Sequence, residues 1–310
     1  MILAWRLGRP ALMGVTAATA GLGWLAGPGR ALGGFLLATV LFHYAGVLVN
    51  DAMDVDVDRL TDRRIRSPMV TGEVSPVVGL AAGLVCAGGA LAVSPSGLLA
   101  SALGAMLLYN LAGKRSPIPL VMDLVQGVSW GLFVLWAASG GLIGARQFVV
   151  AATIAVYMAQ VNAVHGGVRD AVVDAGAGRH TTALLLGVTG TTVPARMRAV
   201  AYVCQAALIA LAVAWALRVR PGTVSQILAA TETLVILAVG LTLLRRGMRS
   251  STAMPSRERD GARHIALTFL AIAALPAFGG GWRDLIAAQV LGVLLLTPLM
   301  AHPAFRRARG

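Results

Sequence analysis

Long apolar segments recur along the whole chain and constrain its fold more than any other feature. A bilayer core about 30 Å thick takes roughly 20 apolar residues for each helical crossing. The runs are too long and too little alternating for barrel strands, and lipid offers no partner for unpaired backbone groups. We therefore predict an all-α, polytopic membrane helical bundle with ten candidate crossings, at 11–27, 31–50, 76–94, 97–112, 119–141, 147–167, 197–217, 223–244, 263–280 and 284–301.

The composition agrees with this prediction and excludes other classes. Of the 310 residues, 57% are hydrophobic and only 13% are charged, which is unlike an ordinary soluble domain or a disordered chain. The net charge of +13 comes without a basic stripe with interleaved aromatic residues, so we expect no nucleic acid partner. We interpret residues 1–310 as one integral membrane domain with no soluble appendage.

The basic residues are distributed unequally between the two predicted faces of the membrane. If all ten segments cross, 21 of the 26 Lys and Arg residues lie on one side, which holds the N-terminus, the loops near 51–75, 113–118, 168–196 and 245–262, and the C-terminal tail. The positive-inside rule makes that side cytoplasmic. The polar loops on this side are also where we expect the chemistry.

A first acidic group follows the second apolar segment in "VNDAMDVDVDRLTDRRIRS". Asn50, Asp54 and Asp58 are spaced i, i+4 and i+8, so on a continuing helix they form one column. Asp51 and Asp62 lie at its edges and are possible supports, whereas Asp56 points away. Such like charges repel one another unless a cation neutralises them.

A second acidic group follows the sixth segment in "HGGVRDAVVDAGAGRHTT". Asp170 and Asp174 again stand one helical turn apart, at the same predicted membrane face. Carboxylate oxygens on both segments suit Mg²⁺, which commonly combines one or two carboxylates with waters and substrate phosphates.

Basic side chains interleave with these acids and indicate that the ligand carries phosphate. Guanidinium and ammonium groups beside metal-binding carboxylates can hold a metal-neutralised diphosphate. The candidates for this contact are Arg66, Lys114 and Arg179, of which we favour Arg66 and Lys114.

Both acidic groups resemble the motifs of one family. "NDAMDVDVD" resembles the NDxxDxxxD motif of the UbiA-type intramembrane prenyltransferases, and "RIRSPMVTGEVS" resembles its continuation, with Arg66 in the Arg place. "RDAVVDAGAGRHT" is similar to the second DxxxD motif with its trailing Gly178 and Thr181. "YNLAGKRSP" resembles the Tyr-and-Lys loop, which gives Tyr109 and Lys114.

This resemblance implies a fold and a reaction. The fold would be nine to ten transmembrane helices around a central cavity open to lipid, with the two motifs facing each other at its cytoplasmic mouth. We expect the protein to lie in the cell membrane. The metal ligands would be Asn50, Asp54, Asp58, Asp170 and Asp174, with Mg²⁺ as cofactor. Arg66 and Lys114 would neutralise the diphosphate that leaves an isoprenyl diphosphate donor. A lipophilic or aromatic acceptor would take the prenyl group.

The identity of the acceptor depends on a position about two turns before Asn50. Family members that act on hydroxybenzoate tend to have Arg there, whereas this chain has His43, which disfavours 4-hydroxybenzoate. We include His43 among the candidate substrate-binding residues. Four aromatic residues are further candidates for lining the cavity, although helix packing explains each of them as well: Trp130, Phe133, Trp136 and Tyr157.

Two other functions remain open from the sequence. Some proteins that resemble this family cyclise a prenyl diphosphate intramolecularly with the same metal motifs, and the motifs do not separate the two reactions. We favour intermolecular transfer because it is the commoner outcome of the resemblance. A transporter is disfavoured, because the acids fall at predicted helix ends rather than near the membrane midplane.

Overall fold

The chain is described by a computed structural model that covers residues 2–7, 9–27, 31–61, 67–140, 142–190, 192–220, 222–249 and 254–301. No strand occurs in these ranges, and the secondary structure is helical apart from an isolated bridge between Thr189 and Thr192. The helices are α1 (Ile2–Leu7), α2 (Pro10–Ala26), α3 (Leu32–Asp58), α4 (Pro76–Val93), α5 (Gly97–Ala112), α6 (Pro119–Ala138), α7 (Ala145–Gln160), α8 (Gly167–Gly176), α9 (Thr182–Leu185), α10 (Ala195–Val219), α11 (Val224–Gly247), α12 (Met254–Ala274) and α13 (Trp282–Ala301).

Three shorter helical segments join these elements. A 3₁₀ turn, Gly113–Arg115, follows α5, and another, Leu275–Gly279, follows α12. A π-helical stretch, Val161–Gly166, joins α7 directly to α8, so residues 145–176 form one continuous helical segment. π-Helical turns are rare and occur frequently at functional sites.

The all-α membrane architecture is confirmed, and each of the ten predicted apolar segments coincides with one long helix. Among the described residues, seven helical stretches are long and apolar enough to cross a membrane: Leu32–Asp58, Pro76–Val93, Pro119–Ala138, Ala145–Gly176, Ala195–Val219, Val224–Gly247 and Ser256–Phe278. The chain is therefore an integral membrane protein. The crossing number of nine to ten stays a prediction.

The helices pack as a closed bundle. Successive neighbours α3 and α4, α5 and α6, α6 and α7, and α11 and α12 form the most extensive contacts, and α10 packs against α7 and α11. Helix α2 contacts both α6 and α13, so the last helix packs against the first long helix. This arrangement brings the ends of α3, α5 and α8 to one end of the bundle.

The aromatic residues proposed as a cavity lining lie largely in the packed core. The rings of Phe42 and Phe133 stack with centroids 3.9 Å apart, and Phe133 stacks on Trp136 at 5.2 Å. Phe133 and Trp136 are fully buried, and the indole N–H of Trp136 donates to Ser94 Oγ at 3.1 Å. Tyr157 is also buried, and its hydroxyl donates to the carbonyl oxygen of Ile265. For these three residues, the contacts are those of helix packing.

Glycine allows α6 to approach α7 closely. A Cβ atom built on Gly127 would lie 2.3 Å from the carbonyl oxygen of Ala155, a separation that the backbone of α7 cannot accommodate without moving. Small residues at such positions are typical of helix contacts in membranes, where close packing replaces the hydrophobic driving force.

We expect Gly127→Ala to destabilise the bundle by about 1 to 3 kcal/mol, because the added methyl group separates α6 from α7. The matched control is Gly104→Ala in α5, where a Cβ atom meets nothing within 4 Å and helix propensity improves. Unfolding in detergent, followed by circular dichroism against temperature, measures both variants. Equal stability of the two variants would contradict the close approach.

Candidate active site

The first acidic group lies on the last turns of α3, as its spacing predicts. This helix has 27 residues, about 40 Å at 1.5 Å per residue, so it is longer than the hydrocarbon core and its end carries the polar residues beyond it. Asn50 and Asp54 face the same side of the helix, and Asn50 Nδ2 donates to Asp54 Oδ2 at 3.2 Å. Asp56 is 81% exposed and pairs with Arg59 at 3.6 Å, in agreement with its predicted separation from the column.

The second acidic group lies on α8, after the π-helical stretch. Asp174 is buried, with only 1% of its surface exposed, and no group in the described part of the chain donates a hydrogen bond to its Oδ1 atom. Asp170 is more exposed and accepts a hydrogen bond from Arg169 Nε at 2.8 Å. Of the two acids, Asp174 is therefore the one that faces the interior of the bundle.

Lys114 joins the two acidic groups. Its ammonium nitrogen lies 3.2 Å from Asp54 Oδ2 and 3.5 Å from Asp174 Oδ1, so one cation contacts carboxylates that are 120 positions apart in the chain. Burial by itself would lower the pKa of Lys114, but the charges of Asp54 and Asp174 outweigh burial and raise this pKa. Lys114 therefore remains protonated at neutral pH.

The loop after α8 holds this arrangement in place. The backbone N–H of His180 donates to the carbonyl oxygen of Lys114 at 2.8 Å, and that of Arg179 donates to the carbonyl oxygen of Asp174 at the same distance. Gly178 allows the reversal between these contacts, since its φ of 65° suits glycine. Arg179 extends to α3, where its Nη2 atom donates to the carbonyl oxygen of Met53 at 3.1 Å and lies 3.9 Å from Asp54 Oδ1.

Arg9, at the start of α2, is a site residue that the sequence reasoning missed. Its guanidinium pairs with the buried carboxylate of Asp51, donates to Asn50 Oδ1 at 3.3 Å and lies 4.0 Å from Asp58 Oδ2. These contacts connect the N-terminal segment to three residues of the first acidic group. Its place before the first apolar segment resembles ordinary positive-inside charge, so nothing in the local sequence distinguishes it.

A hydrogen-bonded group of four polar residues lies beside the acidic groups. Asn162, in the π-helical stretch, donates from Nδ2 to the hydroxyl oxygen of Tyr109 at 2.6 Å and also to Asp123 Oδ1. Thr182 donates to the other oxygen of Asp123. The ring of Tyr109 packs against Gly113, the residue that precedes Lys114. The structure thus places Tyr109 with the acids, next to two residues, Asp123 and Asn162, that the sequence reasoning missed.

A signal for Asp123 was present in the sequence. Acids inside apolar segments are costly and are functional candidates by default, and Asp123 falls within the predicted segment 119–141. Asn162 gave a weaker signal, because a single amide in a membrane helix also serves helix packing.

Two predicted site residues do not join this arrangement in the described structure. His43 is buried on α3, and its Nδ1 atom lies 2.9 Å from Thr16 Oγ1 of α2, about two turns from Asn50. Its role at the acceptor stays a prediction. Arg66 lies outside the described residues, as does Asp62.

The donor set fits a magnesium ion that is completed by substrate and water oxygens. Within the described ranges, no three side chains of His, Cys, Asp or Glu converge as a metal site by themselves. Mg²⁺ is generally bound through one or two carboxylates together with phosphates and waters rather than by a protein cage. In the described ranges, the buried Oδ1 atom of Asp174 has an ion pair with Lys114 but no hydrogen bond, so it has the remaining acceptor capacity that such an ion requires.

Comparison with known proteins gives consistent results. The sequence model of the UbiA prenyltransferase family matches residues 8–254. A 4-hydroxybenzoate solanesyltransferase from Synechocystis is 32% identical over 154 residues, which cover 47% of this chain and 50% of that protein. A protoheme IX farnesyltransferase from Geobacter sulfurreducens is 29% identical over 126 residues, 38% of this chain and 46% of that protein. The chain thus spans about half the length of the curated relatives it matches.

The fold also has a solved counterpart. The structure of a UbiA homolog from Archaeoglobus fulgidus bound to GPP and Mg²⁺ superposes with a TM-score of 0.60 at 20% identity. The superposition covers 87% of this chain and 99% of that one. At this identity, the likeness establishes the fold.

We expect Lys114→Met to destabilise the protein by about 2 kcal/mol in the absence of divalent cations, because Asp54 and Asp174 then face each other without a shared cation. Arg115→Met is the control, since Arg115 is exposed and donates to the carbonyl oxygens of Leu111 and Met53. Thermal unfolding in detergent with a chelator measures the difference. A Lys114 variant as stable as the Arg115 variant would show that the bridge contributes nothing.

Proposed function

This chain belongs to the UbiA prenyltransferase family, and on that premise we propose that it transfers an isoprenyl group from a prenyl diphosphate to an aromatic or other small acceptor in the membrane, releasing diphosphate. The observation that carries this proposal is the contact of Lys114 with both Asp54 and Asp174. It joins two acidic helix ends and a cation in the combination that a metal-neutralised diphosphate requires.

We assign the metal-binding role to the two acidic groups. Asp54, Asp58 and Asn50 on α3 would hold Mg²⁺ on one side, and Asp170 and Asp174 on α8 would hold it on the other. When bound, Mg²⁺ neutralises the diphosphate oxygens and makes diphosphate a better leaving group. The similar structure that contains GPP and Mg²⁺ supports this assignment.

The basic residues would take up the charge that develops on the leaving diphosphate. Lys114 is already a cation in the required place, and Arg179 lies beside it. Substrate oxygens would compete with Asp54 and Asp174 for the ammonium group of Lys114. The same cation would thus balance the two acids before the substrate binds and contact the diphosphate afterwards. By its motif position, Arg66 would complete the set. As the allylic C–O bond breaks, negative charge grows on oxygen, where these fixed cations stabilise it.

The acceptor would approach the allylic carbon from the apolar part of the bundle. The prenyl group leaves oxygen and forms a new bond to the acceptor, which loses a proton. The two curated relatives are named for different acceptors, protoheme IX and 4-hydroxybenzoate. We therefore propose the acceptor class alone, with His43 and its partner Thr16 as a polar pair on α3 and α2 that could contact it.

The placement of charge supports a proposal for location. We propose that residues 1–310 form one integral membrane domain in the cell membrane, with the acidic groups on the cytoplasmic side. Arg9, Lys114 and Arg179 gather with the acids at one end of the bundle. Positively charged residues favour the cytoplasmic side.

We expect Asp54→Asn and Asp174→Asn each to lower the rate of diphosphate release from GPP by at least about 100-fold, because each removes a carboxylate that would bind the metal. Asp56→Asn is the matched control on the same helix, since Asp56 is exposed and contacts Arg59. Release is measured with purified protein, Mg²⁺, GPP and a panel of aromatic acceptors. Preserved release in both site variants would refute the proposed function.

A second experiment separates transfer from intramolecular cyclisation, which the motifs also permit. Incubation with geranylgeranyl diphosphate and Mg²⁺ but without acceptor should give no cyclic product, because the prenyl group then has no intended nucleophile. The products are analysed by gas chromatography and mass spectrometry. A cyclic hydrocarbon or alcohol as the main product would replace transfer with terpene cyclisation.

A further inference from the structure

Asp123 is an acid within a membrane-spanning helix, and the proposed reaction does not yet use it. It lies on α6, one turn after the helix begins at Pro119, and only 7% of its surface is exposed. Its two oxygens accept hydrogen bonds from neutral groups, Asn162 and Thr182. No lysine or arginine of the described residues forms an ion pair with it, in contrast to Asp54 and Asp174. A buried acid in such surroundings requires a functional explanation.

The chemistry of these partners fixes the direction of each hydrogen bond. An ionised carboxylate only accepts, so the side of Asn162 that faces Asp123 must be its NH₂ group. This group has two hydrogens, and the second one is directed at the hydroxyl oxygen of Tyr109, 2.6 Å from Asn162 Nδ2. Asp123 therefore determines which end of the Asn162 amide faces Tyr109.

The same reasoning determines the role of the Tyr109 hydroxyl. Because its oxygen accepts from Asn162, its own hydrogen is not used in that bond and is available to another acceptor. The ring of Tyr109 packs against Gly113, the residue before Lys114, and Lys114 contacts Asp54 and Asp174 on opposite halves of the proposed diphosphate site. The free hydrogen can therefore be directed at an oxygen atom of the ligand held between them.

We propose that Asp123 is a positioning residue, which orients Asn162 so that the Tyr109 hydroxyl donates a hydrogen bond to the diphosphate group of the substrate. This inference rests on the proposed function, since it needs a diphosphate between the two acidic groups. Asp123 acts through its neighbours, because both of its oxygens are already hydrogen-bonded. The π-helical stretch contributes by placing Asn162 between α5 and α6.

A double-mutant cycle tests this coupling. Tyr109→Phe removes the donated hydrogen bond and should lower kcat/KM for GPP about 10-fold, the effect of one hydrogen bond to a charged group. Asp123→Leu removes the acceptor that orients Asn162 and should cause a similar loss. If Asp123 acts through Tyr109, Asp123→Leu in the Tyr109→Phe background should lower kcat/KM by less than about 2-fold more.

Two further variants separate positioning from other roles. Asp123→Asn keeps an oxygen that can accept from Asn162, so it should recover much of the activity that Asp123→Leu loses. Ser129→Ala removes another buried hydrogen bond of α6, to the carbonyl oxygen of Ala102, and should leave kcat/KM within about 2-fold of the parent. If Asp123→Leu does not fold, Asn162→Leu replaces it in the cycle, with the same expected coupling to Tyr109→Phe.

The outcomes distinguish this inference from the function on which it rests. Additive losses in the cycle, or an Asp123→Asn variant as impaired as Asp123→Leu, would overturn the positioning role and favour direct proton transfer to Asp123. Failure of the parent protein to release diphosphate from GPP with any acceptor would instead refute the proposed function. Coupled losses together with recovery by Asn would establish the positioning role.

Discussion

The ion pairs of Lys114 with Asp54 and Asp174 are the interaction on which the site depends. Each acid stands near the end of a long apolar helix, where like charges would repel if the two helices met without a cation between them. Lys114 supplies that cation from the turn between α5 and α6, so three separate parts of the chain converge at one nitrogen atom. A bound diphosphate could replace the carboxylates as the partner of Lys114, and its metal ion could replace Lys114 as the partner of the carboxylates.

Hydropathy and spacing predict the part of the structure that follows from local physics. Apolar runs specify the helices because the bilayer leaves no other way to satisfy the backbone, and an i, i+4 repeat places Asn50 beside Asp54 on any continuous helix. Lys114 and Tyr109 were found through their motif. By contrast, the contact of Arg9 with Asp51 depends on how the N-terminal segment folds back onto α3, and no local pattern carries that information. The site roles of these residues remain predictions that mutation must test.

The aromatic residues show why composition alone is a poor guide to a binding cavity. Phe133 and Trp136 occur at helical spacing, as residues that line a cavity would, but stacking with Phe42 and a hydrogen bond to Ser94 place them in the core between helices. Close packing of large rings stabilises a bundle in lipid, where burial of apolar surface from water does not drive association. Aromatic residues at helical spacing therefore indicate helix packing more directly than they indicate a binding cavity.

The buried acids of the site have two kinds of partner: cations for most of them, and neutral hydrogen-bond donors for Asp123. Asp54 and Asp174 are balanced by Lys114, and Asp51 by Arg9, whereas Asp123 is held by the amide of Asn162 and the hydroxyl of Thr182. A cation beside Asp123 would hold its carboxylate in an ion pair and leave Asn162 free to turn, because ammonium and guanidinium groups offer only donors. Because the partners of Asp123 are neutral donors, its carboxylate sets the orientation of the Asn162 amide. This difference makes the first set of acids suited to exchanging cations with a ligand, and the second suited to holding a hydrogen bond in one direction.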